Sequence, residues 1–343
     1  MSKTTRNKKT SSRGLFSAFV AIVVATAIIV NRGYHTVIVS YAWDAYDNLT
    51  FQASSDVEEI ITDLDLTNIG KYIINGARPE IDDRDSFNDN CESYNADIST
   101  LGCYVSRHIY IYNIDSDELD GIMESTAAHE FLHAVWTHLS ASKKTELAAE
   151  LTDFYKNSDQ HDELSEELES YDEESLIDEL HSRIGTEIAD LPDVLEEHYA
   201  KYFNDQDKIV EFYNSYREPF EELDAEYEKL LDEMQELKKE IDTKNSKYET
   251  SSAELSRDID EFNSCANTPN CFESDYEFQL SRNKLVSRQN ALESLYNELS
   301  DLISTYNEKV KTYNSNILRG RQLDSAINSN SPPSEEEVDI NNS

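Results

Sequence analysis

The sequence predicts a mainly helical α+β protein: a small domain with a short sheet, then a long antiparallel coiled-coil hairpin. Three observations carry this. The run Tyr104 to Ile114 is the strongest strand signal, dense in β-branched and aromatic residues. The stretches after it, to about residue 205, are helix-compatible. From about Gln206 apolar residues recur every seven positions, in two arrays around a Pro-containing turn.

At the N-terminus, residues 1–13 carry Lys3, Arg6, Lys8, Lys9 and Arg13 and no acid. Residues 14–30 follow without a charge, the short end of a membrane span. Positive charge stays on the cytoplasmic side, so the reading is a single-pass signal anchor with the body of the chain extracytoplasmic. The rival reading is a cleaved signal peptide, since Ala25-Thr26-Ala27 resembles a small-residue cleavage site. Both readings export the remainder. Cysteine usage agrees: Cys91 with Cys103 and Cys265 with Cys271 are spaced for local disulfides, which persist outside the reducing cytosol. Neither pair has C-x-x-C spacing, which argues against a zinc site of four cysteines.

Residues 31–205 are read as one domain. After a connector, Ser55 and Glu58 have capping-box spacing ahead of a short helix. Residues 76–103 read as loop. The strand at Tyr104–Ile114 precedes a helix from about Ser116 to Leu139, then a second from Ser142 to Tyr155. Further helices fall in EESLIDELHSRIGTEIADL and, with Pro192 at its first turn, in PDVLEEHYAKYF.

Residues 206–318 are read as the hairpin. Phe220, Tyr227, Met234, Ile241, Tyr248, Leu255 and Phe262 form one row of the first arm. Leu223, Leu230 and Leu237 begin its second row, which turns polar at Lys244, Ser251 and Asp258. The second arm has Phe278, Leu285, Leu292, Leu299, Tyr306 and Tyr313 in one row and Tyr296, Ile303, Val310 and Ile317 in the other. Arg282 and Gln289 are expected to face the polar seam positions. These stripes read as core packing. Self-association, partner binding or a spacer above the membrane are the roles such a hairpin offers. Residues 319–343 read as a disordered tail.

The chain has 70 Asp and Glu against 30 Lys and Arg, a formal charge of −40. That excess repels phosphates and argues against a nucleic-acid partner. Only eight Gly occur, and no P-loop or dinucleotide fingerprint is present.

The chemistry points to AAHEFLHAVW, residues 127–136. On a helix His129 and His133 lie one turn apart on one face, so both imidazoles can meet one Zn²⁺. Glu130 is turned off that line and suits a general base. Apolar Ala127, Ala128, Phe131, Leu132, Val135 and Trp136 surround them, and polar groups on such a helix are costly without partners.

With these residues in place, roughly residues 100–205 resemble the zincin metallopeptidases, in which an edge strand ahead of the H-E-x-x-H helix holds the substrate backbone. The resemblance implies a zincin-like catalytic domain that hydrolyses protein or peptide substrates. The metzincin continuation is absent, since Trp136 and Leu139 stand at its Gly and His positions. A gluzincin-like pattern remains, in which a later helix supplies a Glu as third zinc ligand. Glu179, with Ser182 three residues on, looks like the E-x-x-A form of several such families, although Arg183 stands where an Asp often follows. Glu187 is the rival, because it lies closer to the apolar face of Leu180, Ile184 and Ile188. His181, His198, Tyr199 and Tyr202 are candidates for stabilising an oxyanion, with His198 and Tyr199 preferred. The alternative to an enzyme is a cell-surface coiled-coil scaffold or binding protein with a structural or vestigial zinc site.

Overall fold

In a computed structural model of the protein, the described residues are 45–91, 101–158, 168 and 173–329. The basic tail, the apolar run 14–30 and the tail beyond residue 329 lie outside them. Among the described residues no helix is long and apolar enough to cross a membrane. The protein is mostly helical, with a three-stranded sheet and two long C-terminal helices.

The first elements are α1 (Ser55–Asp63), α2 (Asn68–Gly76), β1 (Glu80–Asp82) and α3 (Arg84–Asn90). Ser54, rather than Ser55, caps α1: its Oγ accepts from the Val57 amide at 3.3 Å. The stretch read as loop holds both β1 and α3. Asp83 caps α3 by accepting from the Ser86 amide at 2.9 Å, a signal masked by the surrounding run of acids and amides.

The predicted single strand is two: β2 (Gly102–Val105) and β3 (His108–Tyr112), paired antiparallel. Ser106 and Arg107 turn between them with φ of 53° and 71°. Such two-residue turns favour Asn-Gly, so Ser-Arg gives the sequence no warning. The sheet order is β1-β3-β2, with β1 parallel to β3. The run expected to supply an edge strand is therefore central, and β2 lies at the margin.

Helix α4 (Ile122–His138) carries the H-E-x-x-H residues. It starts six residues later than expected, because Gly121 precedes it at φ 87°. A side chain at Gly121 would meet the backbone of Phe212, with the carbonyl oxygen only 2.7 Å away. Helix α4 is buried on nearly all sides, with Ala127, Ala128, Phe131, Leu132, Ala134, Val135 and Trp136 inside. A helix of that kind belongs at the centre of a core. It packs on α1, α2, β2, β3 and, most extensively, α6 (Glu173–Glu187). Between them runs α5 (Ala141–Asn157) and after them α7 (Asp193–Tyr199).

Helices α8 (Gln206–Ala266) and α9 (Asp275–Ile327) complete the chain. Among the described residues, those up to Glu218 with those from Ser325 form one compact unit, and Pro219–Asp324 form the other. The start of α8 belongs to the first because Ile209 and Val210 are buried there. The division falls at Pro219, through which α8 continues, thirteen residues after the predicted start of the hairpin at residue 206. Helix α9 runs nine residues past the predicted arm end, so 319–327 are helix rather than tail.

The two arms are antiparallel: Asn316 bonds Glu226, Lys309 pairs with Glu233, Lys244 with Glu298 and Arg288 with Asp258. Every predicted row of the first arm faces inward. In the second arm the Phe278–Tyr313 row holds, and of its companion row Val310 and Ile317 are half-buried, whereas over the first half the inward position lies one residue earlier. Leu295 is buried and Leu302 half-buried, while Tyr296 and Ile303 are exposed. Arg288, not the exposed Arg282 or Gln289, meets the polar seam. Both expected disulfides are present, Cys91–Cys103 tying α3 to β2 and Cys265–Cys271 at the hairpin tip.

Candidate metal centre

The one-turn spacing on α4 brings the two histidine Nε2 atoms to 3.2 Å. Close packing of α6 on α4 adds Glu179, whose Oε1 is 3.5 Å from His129 Nε2 and Oε2 3.6 Å from His133 Nε2. That packing depends on small residues. Ser182 is fully buried, and a side chain at Gly185 would stand 2.5 Å from the Tyr199 ring and 2.6 Å from Leu132.

Donors bound at 2.0–2.2 Å to a tetrahedral ion stand roughly 3.3–3.6 Å apart. The three separations, two of them to different oxygens of Glu179, are close to those distances, and the donor set of two imidazoles and one carboxylate suits zinc. Among the described residues these three form the group able to hold a metal ion. Their side chains are 14–21% exposed, so the centre is reachable from solvent.

A residue absent from the sequence reading completes the support. Asp178 Oδ1 lies 2.9 Å from His133 Nδ1. The ring donates from Nδ1, which leaves the Nε2 lone pair for a metal. The only sequence signal was the acidic pair Asp178-Glu179 one residue apart, in a chain where such pairs are common.

Electrostatics favour a cation. Burial opposes charge on His133, but the Asp178 hydrogen bond and the charges of Glu130, Asp178 and Glu179 outweigh it and lift its pKa to about 9. Burial likewise opposes charge on His129, and Glu179 overcomes it, raising its pKa. Burial would raise Glu179, yet the two histidines pull it to about 2. Three carboxylates thus surround two imidazoles, a field that a divalent ion can take over from protons.

Glu130 is buried beside this group, and burial pushes its pKa up, with the histidines partly opposing. Strand β2 covers it. A side chain at Gly102 would fall 2.7 Å from Glu130 Cγ and 3.0 Å from its Oε1, so only glycine lets the strand pass there.

The other predicted residues lie elsewhere. Both oxygens of Glu187 accept from Arg183, from Nε at 2.9 Å and Nη2 at 3.2 Å, which takes Glu187 out of the metal group. His198 Nε2 bonds His181 Nε2 at 2.8 Å, and the Tyr199 hydroxyl donates to the His181 carbonyl at 2.8 Å. His181, His198 and Tyr199 are at most 1% exposed and Tyr202 is buried with them. An oxyanion donor must face the substrate, and these side chains are buried in the α6–α7 interface instead.

No protein-family model, curated protein or solved structure matches this chain.

Proposed function

We propose that this protein is a membrane-anchored zinc metallopeptidase with a gluzincin-like catalytic domain on the extracytoplasmic side. The observation that carries the reading is the spacing of His129 Nε2, His133 Nε2 and Glu179, with Glu130 alongside. The two disulfides favour an oxidising compartment, in keeping with export behind residues 14–30.

His129, His133 and Glu179 would hold the zinc, which when bound supplies a Lewis acid and lowers the pKa of a water to about 7. Asp178 keeps His133 in the ligating tautomer. Glu130, its pKa raised by burial, takes a proton from water and passes it to the leaving amine. A peptide added in extended form at the margin of β2 would run past Gly102 and so past Glu130.

Zinc content and cleavage of a peptide library, measured on wild type and Glu130→Gln, test this. One zinc per chain is expected in both, with cleavage falling on the order of 10²–10⁴-fold in the variant. A wild type that takes up no zinc, or equal cleavage by both proteins, would overturn it.

A further inference from the structure

A glycine interrupts one apolar row of the hairpin. Phe278, Leu285, Leu292, Leu299, Tyr306 and Tyr313 recur every seven residues on α9, and the next member of that row is Gly320. Glycine is the least favourable residue in a helix interior after proline. A side-chain carbon at Gly320 would meet Tyr227 Oη at 3.2 Å, the mobile end of a side chain, and Leu223 only at 4.0 Å.

A cavity of about 570 Å³ opens at this point, within the range of small-ligand sites. Phe220, Tyr227 and Tyr313 line it, and the two tyrosine rings stand edge to face with centroids 5.5 Å apart. Asp224, Asp324 and Arg321 line it as well, two negative charges to one positive. Neither aspartate is in an ion pair among the described residues. Burial pushes the Tyr227 phenol up, and Tyr313, Asp224 and Asp324 push the same way against Arg321.

Aromatic faces at an angle, with carboxylates beside them, are the chemistry that recognises an organic cation. We propose that the open groove at Gly320 is a binding site for an organic ammonium ion, lined by Phe220, Tyr227 and Tyr313 and drawing the cation through the exposed Asp224 and Asp324. This site is independent of the metal centre. Arg321 competes with the ligand for the two carboxylates, which sets a definite sign for its removal.

The test is a titration of the full chain with tetramethylammonium and with n-butylammonium chloride, against sodium chloride at equal ionic strength. Ring-labelled tyrosine is followed by NMR. Saturable shifts are expected with at least one cation. Asp224→Asn and Asp324→Asn should each weaken binding about tenfold, and Arg321→Ala should tighten it several-fold. Gly320→Leu fills the groove and should abolish binding while helical content by circular dichroism is kept. No saturable shift with either cation overturns the proposal. So does binding that survives Gly320→Leu, is unchanged in both aspartate variants, or weakens in Arg321→Ala, which would mark an anionic or zwitterionic ligand. If Gly320→Leu does not fold, the aspartate and arginine variants decide alone.

Discussion

Asp178 accepts a hydrogen bond from His133 Nδ1 at 2.9 Å, while the next residue, Glu179, reaches the far side of the same ring at 3.6 Å. Two consecutive acids of one helix thus grip one imidazole from both nitrogens. The first fixes its tautomer and the second stands ready to share a metal with it. Removing the first should weaken metal binding without removing a ligand. Asp178→Ala is expected to lower zinc affinity about 10–100-fold. Asp178→Asn keeps an oxygen that can accept, so it should lose less. Competition with a chromophoric chelator measures both. Equal affinity in wild type and Asp178→Ala would show that the hydrogen bond does not tune the site.

Glu179 and Glu187 separate by their effects. Glu179→Ala should lose the metal and keep the fold. Glu187→Ala should keep the metal and lose stability, because Arg183 is buried, at 7% side-chain exposure, and gives up a bidentate partner. Breaking such a pair costs about 3 kcal/mol. Metal content by mass spectrometry and urea unfolding, run on both variants, give opposite patterns if this is right and the same pattern if it is not.

Gly185 tests the dependence of the site on helix approach. Alanine at an interior helix glycine normally stabilises by about 1 kcal/mol. Here its methyl would enter the Tyr199 ring and Leu132 at 2.5 and 2.6 Å, and Tyr199 is fully buried. Overpacking costs about 1–3 kcal/mol, so the net effect should be destabilising. Pushing α6 away from α4 also draws Glu179 from the histidines. Gly185→Ala should therefore lower the melting temperature and zinc affinity together. A stabilised variant with unchanged zinc binding would mean the interface has slack.

These relationships differ in how far the sequence announces them. Periodicity found the first arm fully, since Phe220 to Phe262 and Leu223 to Leu237 leave one choice of face. The second arm offered two, because Leu295 and Tyr296, and Leu302 and Ile303, are adjacent apolar pairs. Cross-arm partners favour the earlier position at those two places, where Arg288 with Asp258 and Lys309 with Glu233 share its row. H-E-x-x-H was legible because two histidines on an apolar helix need a purpose. Asp178 was not, since one more acid in an acidic chain carries no signal until α6 lies against α4. His198 and Tyr199 looked suited to chemistry by residue type alone, and tertiary packing used them inside the core.

His198 makes a prediction of its own about acid stability. Burial, with Lys201 and Lys143 adding to it, holds the folded ring's pKa at about 3, against an ordinary value of 6.5. The folded state therefore prefers the neutral ring. Above pH 6.5 the ring is neutral in both states and its contribution is fully present. As pH falls below 6.5 the unfolded chain takes up a proton that the folded chain refuses, and stability is lost at up to about 1.4 kcal/mol per pH unit until about pH 3. Between pH 7 and pH 5 this amounts to about 2 kcal/mol. His198→Phe removes the titration, so its unfolding free energy should fall less than that of wild type over this interval by that amount. Urea unfolding of both proteins at the two pH values, with chelator present, isolates the difference, since His129 and His133 contribute alike. Parallel losses in the two proteins would mean that His198 takes up its proton in the folded state, and that the His181–His198 bond does not hold the ring neutral.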